Sequence, residues 1–239
     1  MRGIIQNISQ YKYKLSLGGL LIAASVISLI LVLIHARING SFTYAFLVFN
    51  LGLAWIPLVA AVAAYISMRN RITFYLVMPF CIVAWLIFFP NAPYLLTDFQ
   101  HLAFTNGDTP VWFDVILMIW FAWTGLLLGI SSLYLMQEII TKTFNRLIGW
   151  IFAISVTILS SLGIYLGRFL RWNSWDLLRD PLPIAKDMYG IVRHPITNLP
   201  TYVFTILFTL LFLFVYLSIH LFAGANRERV NKQQANQKI

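Results

Sequence analysis

Six long apolar runs separated by polar connections dominate the chain: residues 15–34, 45–66, 72–89, 111–136, 147–166 and 201–222. Each is close to the roughly 20 residues that an α-helix needs to cross the hydrocarbon core of a bilayer. The pattern predicts an all-α, polytopic transmembrane helix bundle with six spans. The longest polar connection, 167–198, leaves little chain for a soluble domain. Residues 1–226 read as a single transmembrane helical domain, and 227–239 as a polar, disordered C-terminal tail. The first run is longer than a signal-peptide core and lacks a clean small-residue cleavage site, so it reads as a retained span.

Prolines and caps punctuate this pattern. Pro57 and Pro79 lie inside the second and third spans, where a missing amide donor bends a helix and the freed carbonyl needs a partner away from lipid. The third span ends at Pro90-Asn91-Ala92-Pro93, where each proline disfavours helix in the residue before it. Thr97-Asp98-Phe99-Gln100 then fits a capping box, with Thr97 as N-cap and Gln100 reaching back. It predicts a short interfacial helix over 98–104. Residues 105–108 read as a turn. Thr109 and Pro110 read as the N-cap and first residue of the fourth span. Spans four and five carry glycine pairs, Gly125 with Gly129 and Gly163 with Gly167, a spacing that lets helices approach closely and leaves a helix–helix oligomer open.

Composition agrees with the pattern. Sixty per cent of residues are hydrophobic and 10% are charged, against roughly 25% charged in a soluble domain. The net charge of +9 reads as membrane orientation and does not call for nucleic acid, because cytoplasmic loops are enriched in Lys and Arg. With six spans, Arg37, Arg168, Arg171, Arg179, Lys186 and Arg193 fall on one side and the remaining Lys and Arg on the other. That bias puts both termini in the cytoplasm, although the 167–198 loop is itself rich in basic residues. Cys81 is the only cysteine, which excludes an internal disulfide and a cysteine metal cluster. No metal and no cofactor is predicted.

Two segments concentrate the remaining polar chemistry. In the first, Asp98 and His101 are spaced i, i+3 on one face of the predicted helix, an arrangement that suits an acid/base pair in which the carboxylate orients the imidazole. Asp98 is also favoured there by the helix dipole alone. Asn91, between the prolines, suits either freed backbone groups or a ligand's polar atoms. In the second segment, Arg168 and Arg171 suit a phosphate or carboxylate, gripped through paired hydrogen bonds. Asn173 follows between Trp172 and Trp175, and Asp176 directly after them. The competing reading is headgroup anchoring by the arginines and tryptophans, or an ion-pair latch from Arg168 or Arg171 to Asp98 or Asp176. Asp114, one turn inside the fourth span, is costly in lipid and should face the bundle or water, with Asn50 as a possible companion. His35 and His220, at span ends, read as interfacial.

The strings FPNAPYLLTDFQHL (89–102) and YLGRFLRWNSWDLL (165–178) resemble the bacterial integral membrane proteins grouped as domain of unknown function 1361. The resemblance covers nearly the whole chain and implies a multi-span protein of the bacterial cytoplasmic membrane. It implies no catalytic residue. Two spans separate the two segments, so both fall on one side of the bilayer. The expected arrangement is a polar pocket at the outer interface, with Asn91, Asp98 and His101 from one exit, Arg168, Arg171, Asn173 and Asp176 from the other, and Asp114 beneath. Such an inventory suits an anionic lipid or a lipid-linked envelope intermediate, bound or modified there, with His101 as acid/base and Asp98 as its partner. Two alternatives stand beside it: an accessory protein whose polar clusters form a latch, and a small-solute transporter.

Overall fold

The computed structural model describes the backbone over residues 2–104 and 109–236, and side chains over 16–102 and 109–224. Among the described residues every regular element is helical. In chain order these are α1 (Arg2–Asn39), α2 (Ala45–Ser67), α3 (Arg71–Phe88), α4 (Asn91–Tyr94), a 3-10 helix (Leu95–Phe104), α5 (Val111–Thr143), α6 (Arg146–Phe169), α7 (Asp176–Arg179), α8 (Pro181–Arg193) and α9 (Leu199–Asn236). Six stretches are long and apolar enough to cross a membrane: Ser16–Asn39, Ala45–Ser67, Arg71–Leu102, Val111–Thr143, Arg146–Phe169 and Leu199–Gly224. The protein is a multi-pass membrane protein of the six-span helical class. Two compact units divide the chain, Met1–Asn145 and Arg146–Ile239.

The first unit packs α1, α2, the 90–104 segment and α5 around a core that includes Leu21, Leu47, Leu51, Leu95, Leu117 and Phe121. Its helix ends follow local chemistry. Gly40 takes a left-handed φ of +61° just after α1, where a side chain would be strained. Asn70 caps α3 by accepting from the Ile72 amide at 2.9 Å. Two indole N–H groups tie the helices together: Trp120 donates to the Ala24 carbonyl at 2.9 Å and Trp55 to Ser25 Oγ at 3.0 Å. Pro57 is buried, as an intramembrane proline should be, whereas Pro79 lies on an exposed apolar face.

The break after α3 differs from its sequence reading. Phe89, before Pro90, stays in the right-handed helical region, and Asn91–Tyr94 forms a helical turn. The prolines withdraw amide donors without forcing the chain to extend, so the turns continue. The third candidate span therefore runs on from Arg71 to Leu102. The expected capping box does not form. The 3-10 helix has already begun at Leu95, and Thr97 Oγ1 donates backwards to the Tyr94 carbonyl at 2.7 Å.

Gly125 of α5 explains how the broken stretch is accommodated. A Cβ at that position would lie 2.6 Å from the Ala92 carbonyl oxygen and 2.5 Å from Leu95 Cδ1. Gly125 lies about 21 Å along α5 from Val111 at 1.5 Å per residue. The break is thus seated against the middle of a neighbouring span, where irregular backbone is tolerated only when covered by protein. Ala92, Pro93 and Leu95 are all buried.

The fourth span opens differently from its reading too. Val111 is the first residue of α5 and Pro110 precedes it with no side-chain cap. Thr109 reaches past the helix start to Asp114 instead. The predicted turn at 105–108 lies outside the described residues.

The second unit pairs α6 with α9, joined midway where Thr209 Oγ1 donates to Ser161 Oγ at 2.9 Å. The short helices α7 and α8 occupy the 167–198 connection. Leu166, Ile184 and Ile191 form a small core with Trp172 and Tyr202 packed against it. Helix α9 runs on to Asn236, through most of the stretch read as a polar tail; 237–239 lie outside the described residues.

Candidate functional site

In the first unit the polar groups gather where α1 ends and α2 and α5 begin. Asp98 is 1% exposed and accepts from Asn50 Nδ2 at 3.3 Å. Asn50 lies about 8 Å along α2 from its start. The other route gives a similar depth: from Ala92, opposite Gly125, the chain climbs roughly 11 Å to Asp98, leaving it roughly 10 Å in. The carboxylate therefore sits below the span ends. In a 3-10 helix, side chains at i and i+3 eclipse, so Asp98 and His101 share one face here as well. The His101 ring packs on Phe46 at 4.7 Å between centroids. Asn50 was read as a companion of Asp114; its bond goes to Asp98.

Asp114 is 2% exposed and takes its partners from α1 and from the residue before Pro110. Thr109 Oγ1 lies 3.2 and 3.4 Å from the two carboxylate oxygens. His35 Nε2 lies 3.4 Å from Oδ1. Asn39 completes the group: its Oδ1 accepts from the Thr109 amide at 3.0 Å, and its Nδ2 lies 3.0 Å from Thr109 Oγ1 and 2.7 Å from His35 Nε2. These contacts fix the polarity. Asn39 Oδ1 is held as an acceptor, so Nδ2 donates to Thr109 Oγ1, leaving the threonine hydroxyl to donate to Asp114, while His35 Nε2 faces both Asn39 Nδ2 and Asp114 Oδ1.

His35 is 3% exposed, against its reading as interfacial. Helix packing turns its face inward, where it meets Tyr44 at 4.4 Å between ring centroids. Tyr44 in turn meets Phe46 at 6.4 Å. An aromatic row, His35–Tyr44–Phe46–His101, thus links the neighbourhood of Asp114 to that of Asp98. His35, Asn39 and Thr109 were missing from the sequence-derived set. The available signal was the i, i+4 spacing of His35 and Asn39 at the end of a span, which places both on one helix face.

Asn91 lies at the break. Its Nδ2 donates to the Phe88 carbonyl at 3.1 Å, whose usual helical donor, the Ala92 amide, bonds the Phe89 carbonyl at 3.2 Å.

In the second unit the exit of α6 has a different character. Leu166 O receives both the Leu170 amide at 3.1 Å and the Trp172 amide at 3.2 Å. The chain reverses between them at Arg171, the one non-glycine residue with positive φ, +62°, among the described residues. Arg171 is exposed. Asp176 does not latch onto it: its Oδ2 accepts from the Asn173 amide at 2.7 Å and from Asn173 Nδ2 at 3.2 Å. Arg168, in the last turn of α6, is half-buried. Trp172 Nε1 donates to Asp187 of α8 at 2.8 Å.

A family model described as Protein of unknown function (DUF1361) matches residues 49–215, more than half of the chain. The chain belongs to this family. No curated protein and no solved structure matches it. The family region is shorter than the resemblance implied. It contains Asn50, Asn91, Asp98, His101, Asp114 and the whole 167–176 segment. His35, Asn39, Tyr44 and Phe46 precede it, so the Asp114 group joins residues from inside and outside the matched region.

Proposed function

We propose that this membrane protein binds an anionic amphiphile, a lipid or lipid-linked envelope intermediate, at the exit of α6, with Arg171 as the principal headgroup contact. The observation that carries the reading is the backbone at Arg171. A left-handed conformation costs an L-residue roughly 1–2 kcal/mol, and glycine would avoid that cost. An exposed arginine stands there instead, with no hydrogen bond or ion pair among the described residues. Strain held at one residue points to a use for its side chain, and a guanidinium next to Trp172 in the chain suits a phosphate at a membrane interface. The same reading places the protein in a bacterial cytoplasmic membrane with both termini inside, which reporter fusions at each terminus test.

The direct test uses the full-length protein in detergent with added phosphatidylglycerol, a polyprenyl phosphate or phosphatidylcholine. The two anionic lipids are expected to raise the unfolding temperature more than phosphatidylcholine, and Arg171→Ala to remove most of the difference. Equal effects of all three lipids on the native protein would overturn the reading.

A second reading has its own observation. The His35–Asn39–Thr109–Asp114 group is closed on itself and ties the end of α1 to the start of α5, as a latch in a non-catalytic accessory protein would. Under it, substitutions in this group lower protein level, and Arg171→Ala changes neither lipid response nor phenotype.

A further inference from the structure

We infer that α8 is an in-plane membrane-surface helix, whose exposed apolar face enters the lipid while an adjoining basic edge contacts anionic headgroups. This assigns a partner to a surface outside the Arg171 site; it shares with that proposal only the sign of the headgroup charge.

The helix is anchored along one side. Ile184 and Ile191 are buried with Leu166, in the last turn of α6, and Tyr202, in the first turn of α9. Asp187, on the same side, accepts from Trp172 at 2.8 Å, and Tyr202 Oη donates to the Ile191 carbonyl at 3.0 Å. Both neighbours are membrane-span ends, so these contacts set the depth of α8 at the level where spans leave the hydrocarbon.

The anchored side does not use up the apolar residues. At 100° per residue, Met188, Val192, Tyr189 and Leu182 fall within an arc of about 120° beside the buried one. Leu182 is 69% exposed, Tyr189 63% and Val192 72%. Arg193 and Lys186 follow at the far edge of that arc, and both are exposed. Arg193 Nη1 donates to Tyr189 Oη at 3.1 Å, which holds a guanidinium and an interfacial aromatic side by side. A wide apolar face bordered by Lys and Arg is the pattern of helices that lie in the headgroup plane. A water-facing surface would make three large apolar side chains costly, and a fully inserted helix would make the basic edge costly. Only an interfacial position satisfies both, and the contacts to α6 and α9 already put the helix there.

The test is a depth measurement on the full-length protein in vesicles. Cys81→Ser supplies a cysteine-free background. Nitroxide labels then go on Leu182→Cys and Val192→Cys, and on Gly190→Cys, which lies away from the apolar arc and has open space for a side chain. Labels at 182 and 192 are expected to relax faster with oxygen than with a water-soluble nickel chelate, and the label at 190 to show the reverse. Adding phosphatidylglycerol to phosphatidylcholine vesicles should deepen 182 and 192, and Lys186→Gln with Arg193→Gln should abolish that deepening. Labels at 182 and 192 that respond to the nickel chelate would overturn the inference. So would labels shielded from both reagents, which would mean a protein partner or second copy covers the face, and so would a depth unaffected by lipid charge. Arg171→Ala is expected to leave the depth profile unchanged, so failure of the Arg171 reading and failure of this one give different results.

Discussion

The two units place their polar residues in opposite ways. In the first, Asp98 and Asp114 and their partners point inward: Asp98 is held by Asn50, and Asp114 by Thr109 and its neighbours, with little water contact. In the second, the charges of the 167–193 stretch are exposed or half-exposed around a small core. An inward polar group in a dry interior must be matched by a specific partner, because an unmatched one costs its full desolvation. An outward group at a membrane interface meets water and headgroups and needs no partner in the chain. Inward chemistry is therefore tied to stability, and outward chemistry is available for recognition.

Substitutions can break this contrast, beginning with the largest effect. Thr109→Val keeps the side-chain shape and removes the donor to buried Asp114. It should cost about 3 kcal/mol, since a hydrogen bond to a buried charged group is lost without relief of its desolvation. Thermal unfolding in detergent measures it, and adding Asp114→Leu should recover much of the loss because no orphaned carboxylate remains. A cost below about 0.5 kcal/mol would mean that Asp114 is hydrated, and the inward half of the contrast would fail.

Gly125→Ala should cost about 2 kcal/mol through overpacking. The new Cβ meets the Ala92 carbonyl oxygen, and a backbone atom has less freedom to move aside than a side-chain tip. A neutral result in the same unfolding assay would detach the 90–95 break from α5.

Outward substitutions should be milder. Trp172→Phe removes the indole bond to Asp187, and should cost about 1 kcal/mol because the partner can turn to water. The clearer readout is faster proteolysis within 170–198. Arg171→Gly has the smallest effect on stability and the opposite sign: it should stabilise by up to about 1 kcal/mol by relieving the left-handed strain. It should also lose the preference for anionic lipid. Destabilisation by this change would show that Arg171 is structural, and the contrast between the units would narrow.

Much of this was legible in the chain. The six spans follow from run length, and the two carboxylates stand out because charge within a span is costly wherever it faces. Asn91 was legible as one of two options, and the hydrogen bond to Phe88 matches the backbone-satisfying one. The partners were harder to read. Asn50 was near enough to be suspected but was matched with the wrong carboxylate. His35 lay at a span end, where an interfacial reading was natural, because nothing in its neighbours says which way α1 turns. The helix start at Thr109 was misread because a threonine before a proline fits a local cap, and the longer reach to Asp114 depends on Asn39 occupying the other side.

The sequence by itself determined that the chain crosses a membrane with six helices and which family it belongs to. Both rest on local, one-dimensional properties: the length and hydropathy of each run, and two distinctive strings. Tertiary structure decided that the proline break is seated against Gly125, that Asp114 meets residues of α1, and that α8 keeps an apolar face uncovered. Those outcomes depend on which helix faces pack together. In a dry interior that choice is made by matching polar groups and small residues brought from distant parts of the chain.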